Sequence, residues 1–213
     1  MLIVGAKGLA KELLQVLSID MNLSDESILF FDNVSHDLPE KIYNRFKILN
    51  SFDAVENYFK AYIDKSFVLG LGHPLRREKL YKQFVELGAN PIILISKSAE
   101  VGDFEVEIKE GTSILAGARI SNSVQIGKGC LIYYNSVVAH DSNIGDFVEI
   151  SPNVTILGRC IIGNNSTLGA GCVILPDVII GENVKVGAGA VILKDVPDNS
   201  TIVGVPGRVI KSF

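Results

Sequence analysis

From Ile108 to Ile192 every sixth residue is Ile, Leu or Val, an unbroken register of fifteen positions. These three types make up roughly a third of the chain, so such a run arises by chance about once in ten million for a given phase. A second column, recurring every six residues from Thr112 to Val196 and standing two residues earlier in each unit, holds only small or β-branched residues. Positions i−2 and i share one face of an extended strand, so each unit supplies a short strand with one small and one large inward side chain. The other three residues must turn a corner. Gly follows the large residue at 127, 145, 163, 169, 181 and 187, where a tight corner is expected to need a backbone conformation that a side chain resists. A period of six does not match the 3.6-residue stripe of a helix, and strands this short cannot bury a face as hairpins. They can wind as a solenoid. Three units per turn give an 18-residue coil, and residues 108 to 197 give five coils of a triangular prism, stacked ~4.8 Å apart as neighbouring strands are.

The first half has another rhythm. Leu2-Ile3-Val4 reads as a buried strand, Gly5 to Gly8 as a turn, and Leu9 to Leu17 as an amphipathic helix. Ile28 to Phe31, ending in Asp32-Asn33, predicts a second strand and Phe67 to Gly72 a third. A helix from Leu75 to Leu87 and a fourth strand from Pro91 to Ile95 follow. This alternation indicates a small, Rossmann-like α/β domain over residues 1–95, with ligands at the carboxyl ends of a parallel sheet, joined to a solenoid over 96–213. Gly5, Asp32 and Gly72 fall at those ends. The GAKG turn is a weaker signal than GxGxxG, but its logic is the same: glycine admits a diphosphate to the free N–H groups of the following helix.

The charge balance, −4 with a pI near 5.4 and no block of like charge, does not support a nucleic-acid partner. Mean hydropathy is high at +0.32, yet apolar runs such as Ile92 to Ile95 are far too short to span a bilayer, so no membrane partner is expected. The opening MLIVGAKG lacks the basic region and apolar run of a secretory signal, and the expected location is the cytoplasm. Cys130, Cys160 and Cys172 have no metal spacing and all fall in the small inward column, which predicts reduced packing thiols and no metal site.

His36 lies in a polar loop and His73 at a strand end before Pro74. His140 falls on a prism corner beside Asp141, which can orient the imidazole and favour its protonated form, as a general base requires. No GxSxG, HExxH or Walker loop accompanies it. A base without a protein nucleophile suggests direct transfer between two bound substrates.

With its hexads, its LIVGAKGLAKELLQVL, LFFDN and LGLGHPLRREKL segments, NSVVAHDSNIGDFVEISPNVTILG and the closing VPDNSTIVGVPGRVIK, the chain resembles the hexapeptide-repeat acyltransferases. It is most similar to those that N-acetylate nucleotide-linked amino-sugars. The resemblance implies a left-handed parallel β-helix, a homotrimer, and acetyl-CoA lying between neighbouring solenoids. It implies His140 as the base that deprotonates the sugar amine, Asp141 raising its basicity, and Glu149, Gly158, Ala170 and Ala188 as coenzyme contacts. The nucleotide sugar would rest on Lys7, Gly8, Leu9, Asp32, Asn33 and Gly72, and no metal is implied. Relatives often carry His at the Glu149 position, and other types at Lys7, Leu9, Asn33 and His73. The acceptor would be a 4-amino-4,6-dideoxy sugar, and the product an acetamido sugar donor for surface polysaccharide or glycoprotein glycan assembly. O-acetylation of a sialic acid or another glycan hydroxyl is the neighbouring alternative, and a noncatalytic scaffold the distant one.

Overall fold

The computed structural model describes residues 1–212. Its second half is a left-handed parallel β-helix whose three walls are built of parallel two-residue strands, such as Leu131–Ile132, Val137–Val138 and Asn143–Ile144, the first wall closing on the longer strand Ser200–Val203 and its antiparallel partner Arg208–Ser212. The large aliphatic column is buried from Ile114 to Ile192 and the small column from Thr112 to Val196. Polar members of the small column satisfy themselves by donating to the coil above: Thr112 Oγ1 to the Gly127 carbonyl at 2.8 Å, Ser166 Oγ to Gly181 at 2.8 Å, Cys130 Sγ to Gly145 at 3.0 Å. Burial pushes the Cys130 and Cys172 thiols up to about 12, so neither is a nucleophile.

The corner glycines do something other than expected. Those at 127, 145, 163, 169, 181 and 187 are not in the left-handed region; that conformation falls two residues later, at Gly129, Phe147, Asn165, Gly171, Asn183 and Gly189. What the first set avoids is collision. A Cβ at Gly163 would lie 2.5 Å from the Gly181 carbonyl carbon, and one at Gly169 would lie 2.6 Å from the Ala188 nitrogen, because neighbouring coils stack at strand spacing.

The helix also extends beyond the regular run. Leu94–Ile95 pairs with Ser113–Ile114 and Glu100–Val101 with Arg119–Ile120, partners nineteen residues apart, so one extra corner residue between Val101 and Glu107 shifts the phase. Val186 pairs with Ile202, sixteen residues on, so the last coil is shortened. The segment expected as one strand, Pro91 to Ile95, divides: Asn90–Pro91 joins the α/β sheet and Leu94–Ile95 is the first rung of the first wall. Both sheets need apolar residues there, so an uninterrupted apolar run could not mark the division.

The first half is a six-stranded sheet, order β3-β4-β2-β1-β5-β6, made of β1 (Leu2–Val4), β2 (Leu29–Phe31), β3 (Lys41–Ile42), β4 (Phe46–Leu49), β5 (Ser66–Leu69) and β6 (Asn90–Pro91). Helices α1 (Gly8–Gln15), α2 (Phe52–Ala61) and α3 (Pro74–Glu86) flank it. Ser51 caps α2 through its hydroxyl at 3.2 Å from the Ala54 N–H. This unit sits on the first wall. Helix α1 packs towards the corner carrying Leu115, Tyr133 and Tyr134. Helix α3 packs over the opposite corner, where Tyr81 meets Phe147 edge-on at 5.4 Å and bonds Glu110 at 2.9 Å. The outward residues of the first wall record the footprint: Leu94, Ser113 and Leu131 are buried, Glu149 is half-buried and Lys185 exposed. No described helix is long and apolar enough to cross a membrane.

Candidate active site

His140 stands on the corner between the second and third walls, the edge of the prism opposite the wall that the α/β unit covers. Its ring and the Asp141 carboxylate are each about half exposed, 54% and 55%. Asp141 holds a left-handed backbone, φ +59°, which turns its carboxylate back onto the ring: Nδ1 and Oδ2 are 2.6 Å apart. With Nδ1–H donating to the carboxylate, the lone pair of Nε2 faces outward, the tautomer a base needs.

Gly158 lies one coil above, and a Cβ there would come within 2.6 Å of Cε1 and 2.7 Å of Nε2 of His140. The imidazole thus rests on a bare Cα. At the equivalent step of another edge, the Lys128 and Asp146 N–H groups are capped by the side chains of Asp146 and Asn164 one coil up, at 3.0 and 2.7 Å. Above Gly158 stands Pro176, which offers no side-chain acceptor. Arg159, also left-handed, pairs twice with Asp177 at 2.6 and 2.9 Å.

Within one chain the other implied coenzyme positions lie elsewhere. Ala170 and Ala188 stack on the corner between the first and second walls, where the Gly189 N–H donates to the Ala170 carbonyl at 2.9 Å. Glu149 is on the first wall beside Gly72, 3.4 Å from where a Gly72 Cβ would stand. Burial raises its carboxyl above the ordinary range and the nearby Arg77 charge opposes that rise.

Lys7, Gly8, Leu9, Asp32 and Gly72 do come together. With Gly5, Gly70, His73 and Arg76 they line a cavity of ≈ 320 Å³ at the carboxyl ends of β1, β2 and β5. Gly5 has φ +116° and a Cβ there would strike the Gly70 carbonyl oxygen, so only glycine admits this close approach of two strand ends. Asp32 accepts from the Val34 and Ser35 N–H groups at 3.1 and 2.9 Å, shaping its loop, and Lys7 pairs with Asp37 at 3.1 Å. Asn33 is exposed on the loop next to the cavity and is not part of its lining.

One important residue escapes the sequence reading. Arg77 of α3 is 1% exposed and donates to the backbone carbonyls of Gly129 (3.0 Å), Phe147 (2.7 Å), Val148 (3.1 Å), Leu71 (3.4 Å) and Gly72. It pins the strand end that floors the cavity to the corners of the solenoid. In the sequence it sits in a charged run, Arg76 to Lys79, that reads as a solvated face. The available signal was its phase, since Pro74, Arg77, Tyr81 and Phe84 form one buried stripe.

A model of the bacterial transferase hexapeptide family (six repeats) matches residues 141–175 and 163–194. A GDP-perosamine N-acetyltransferase of Escherichia coli O157:H7 is 30% identical over 160 residues, 73% of this chain and 69% of that protein. Among solved structures, the acetyltransferase domain of PglB from Neisseria gonorrhoeae FA1090 superposes with a TM-score of 0.88 at 25% identity, covering 98% of both chains. PerB from Caulobacter crescentus, in complex with CoA and GDP-perosamine, superposes with a TM-score of 0.85 at 25% identity, covering 99% of this chain and 96% of that one. The chain belongs to the hexapeptide-repeat acetyltransferases, in their nucleotide-sugar N-acetyltransferase branch.

Proposed function

We propose that the protein transfers the acetyl group of acetyl-CoA to the amine of a nucleotide-linked amino-sugar. Residues 1–95 hold the nucleotide sugar and 96–213 carry out the transfer. The observation that carries this reading is the exposed His140–Asp141 pair, with Nδ1 engaged at 2.6 Å and Nε2 open, seated against Gly158. The neutral amine attacks the thioester carbonyl carbon, forming the C–N bond while Nε2 of His140 takes the amine proton. The Gly158 N–H, left without a side-chain cap by Pro176, faces the developing oxyanion. Collapse breaks the C–S bond, and the imidazolium returns its proton to the departing thiolate. Asp141 stabilises the imidazolium between these steps.

A homotrimer completes the site. His140 and Gly158 occupy one edge of the prism, Ala170 and Ala188 another, and the nucleotide-sugar cleft lies towards the opposite wall, so one chain does not place all three substrate-facing elements together. Pairing the His140 edge of one copy with the Ala170 edge of the next closes a coenzyme groove between them. Ile161, Ile179 and Leu193, exposed at 47%, 45% and 48% on the coils above His140, supply apolar surface for that contact.

The test is a panel of nucleotide amino-sugars with acetyl-CoA, read by mass spectrometry for acetylation, together with the solution mass against three times the 23.0 kDa chain. GDP-perosamine, the sugar nucleotide bound by PerB, is the first acceptor to try. His140→Ala should lower turnover by ~10²- to 10⁴-fold while acetyl-CoA binding is retained. Unchanged turnover in that variant removes His140 from the mechanism.

A further inference from the structure

Glu149 is set apart from the other implied coenzyme positions: it stands on the first wall at the margin of the α/β unit, its carboxylate 3.4 Å from the position a Gly72 Cβ would take. Gly72 also lines the cleft assigned above to the nucleotide sugar, and its carbonyl is tied to Arg77. Resting on that assignment, we propose that Glu149 is a specificity residue for the acceptor, taking the amine or a neighbouring hydroxyl of the sugar as it leaves the cleft, and not a coenzyme contact.

The charge distribution of the cleft supports this. Lys7 and the amino terminus of α1, whose first turn holds no acidic residue, stand on the Gly8 side of the cleft, whereas Arg76 belongs to the first turn of α3, just after Gly72 and His73. The Gly8 side suits a diphosphate. Glu149 gives the Gly72 side a carboxylate, which repels phosphate and attracts a donor. In the proposed binding mode the phosphates lie towards Gly8 and the sugar leaves past Gly72 towards Glu149, which stands just outside the cleft lining. No described residue donates a hydrogen bond to the Glu149 carboxylate; Arg77, whose charge acts on it, spends its donors on backbone carbonyls. A half-buried carboxylate in this position gains most from a charged or hydroxyl donor supplied by the ligand.

The experiment compares wild type, Glu149→Gln and Glu149→Asp in steady state with GDP-perosamine and acetyl-CoA, and measures calorimetrically the binding of GDP-perosamine and of the GDP-sugar with a hydroxyl in place of the amine. The Gln variant should raise KM for GDP-perosamine about 10- to 100-fold and leave KM for acetyl-CoA within about twofold, as expected for loss of one charged hydrogen bond. The Asp variant should recover part of that loss, and the hydroxyl analogue should lose less affinity than the amine. A rise in the acetyl-CoA KM instead, or equal losses in the Asp and Gln variants, or no change in either KM, overturns the inference. If the wild-type protein acetylates no nucleotide amino-sugar, the parent reading falls as well; if it does, those outcomes count against Glu149 alone.

Discussion

Gly158→Ala is the smallest change that should disable the proposed chemistry without touching a reacting group. Its backbone is not left-handed, so alanine brings no conformational penalty there. The added methyl would sit 2.6 Å from Cε1 and 2.7 Å from Nε2 of His140, closer than van der Waals contact allows, and the ring is the partner free to move because its side chain is half exposed. Rotating outward breaks the 2.6 Å bond to Asp141 and carries Nε2 away from the Gly158 N–H. The stability lost is about 1 kcal/mol or less, the worth of an exposed ion pair. The activity lost should approach the full contribution of a general base, ~10²- to 10⁴-fold in kcat, or about 3–5 kcal/mol of barrier. The diagnostic assay is a double-mutant cycle on kcat with His140→Ala. If alanine acts only by displacing the ring, the double variant is no slower than His140→Ala by itself. Multiplicative losses, or a Gly158→Ala enzyme within threefold of wild type with an unchanged melting temperature, would refute the steric argument.

Two further outcomes follow from the junction between the halves. Arg77→Met should destabilise the protein by about 3–5 kcal/mol in urea denaturation, because the Gly129, Phe147 and Val148 carbonyls lose a buried donor; a loss below about 1 kcal/mol would mean that water replaces the guanidinium. Glu12 has its carboxyl raised above the ordinary 4.5 by burial, and its Oε2 is buried without a partner. The folded state therefore holds this proton more tightly than the unfolded chain does, and the stability it confers at low pH is lost as pH rises through the raised value. Glu12→Gln should melt above wild type at pH 7 and level with it at pH 4; an equal gap at both pH values would show that the effect is not ionisation.

The solenoid was legible because its determinant repeats. Each hexad places Ile, Leu or Val against the same neighbours, so one misread unit is corrected by fourteen others, and the inward column from Ile114 to Ile192 is buried as the period predicts. Legibility fails where repetition does. One residue inserted after Val101 and a shortened last coil conceal the first and final rungs, although their strands pair as the rest do. Helix α2 and the β3–β4 hairpin passed unseen for a related reason: their apolar positions, such as Val55, Phe59, Ile42 and Phe46, are too few to declare a period. The corner glycines show a subtler limit. Their placement was readable but its cause was not, since the next coil's backbone appears nowhere in the local sequence.

The same distinction governs the site. His140 and Asp141 are adjacent in sequence, and the corner that exposes them follows from the hexad phase, so their pairing was inferable. Arg77 and Glu149 act through residues about seventy positions away; the phase of α3 marks Arg77 as buried, but nothing local names the Phe147 and Val148 carbonyls that it bonds. Yet the prism itself gives a reason for these long-range ties. A rigid coil fixes His140 on one edge, and the acceptor must reach that edge from a cleft carried by a separate unit, so an error in the docking angle of the α/β domain becomes an error in the position of the amine. A guanidinium saturated by carbonyls from both units resists rotation in every direction, whereas an apolar contact resists only separation. The buried arginine is thus better explained by positional accuracy than by stability, and weakening it by Arg77→Lys, which keeps the charge but not the planar fork, should cost turnover with bound acceptor more than it costs folding.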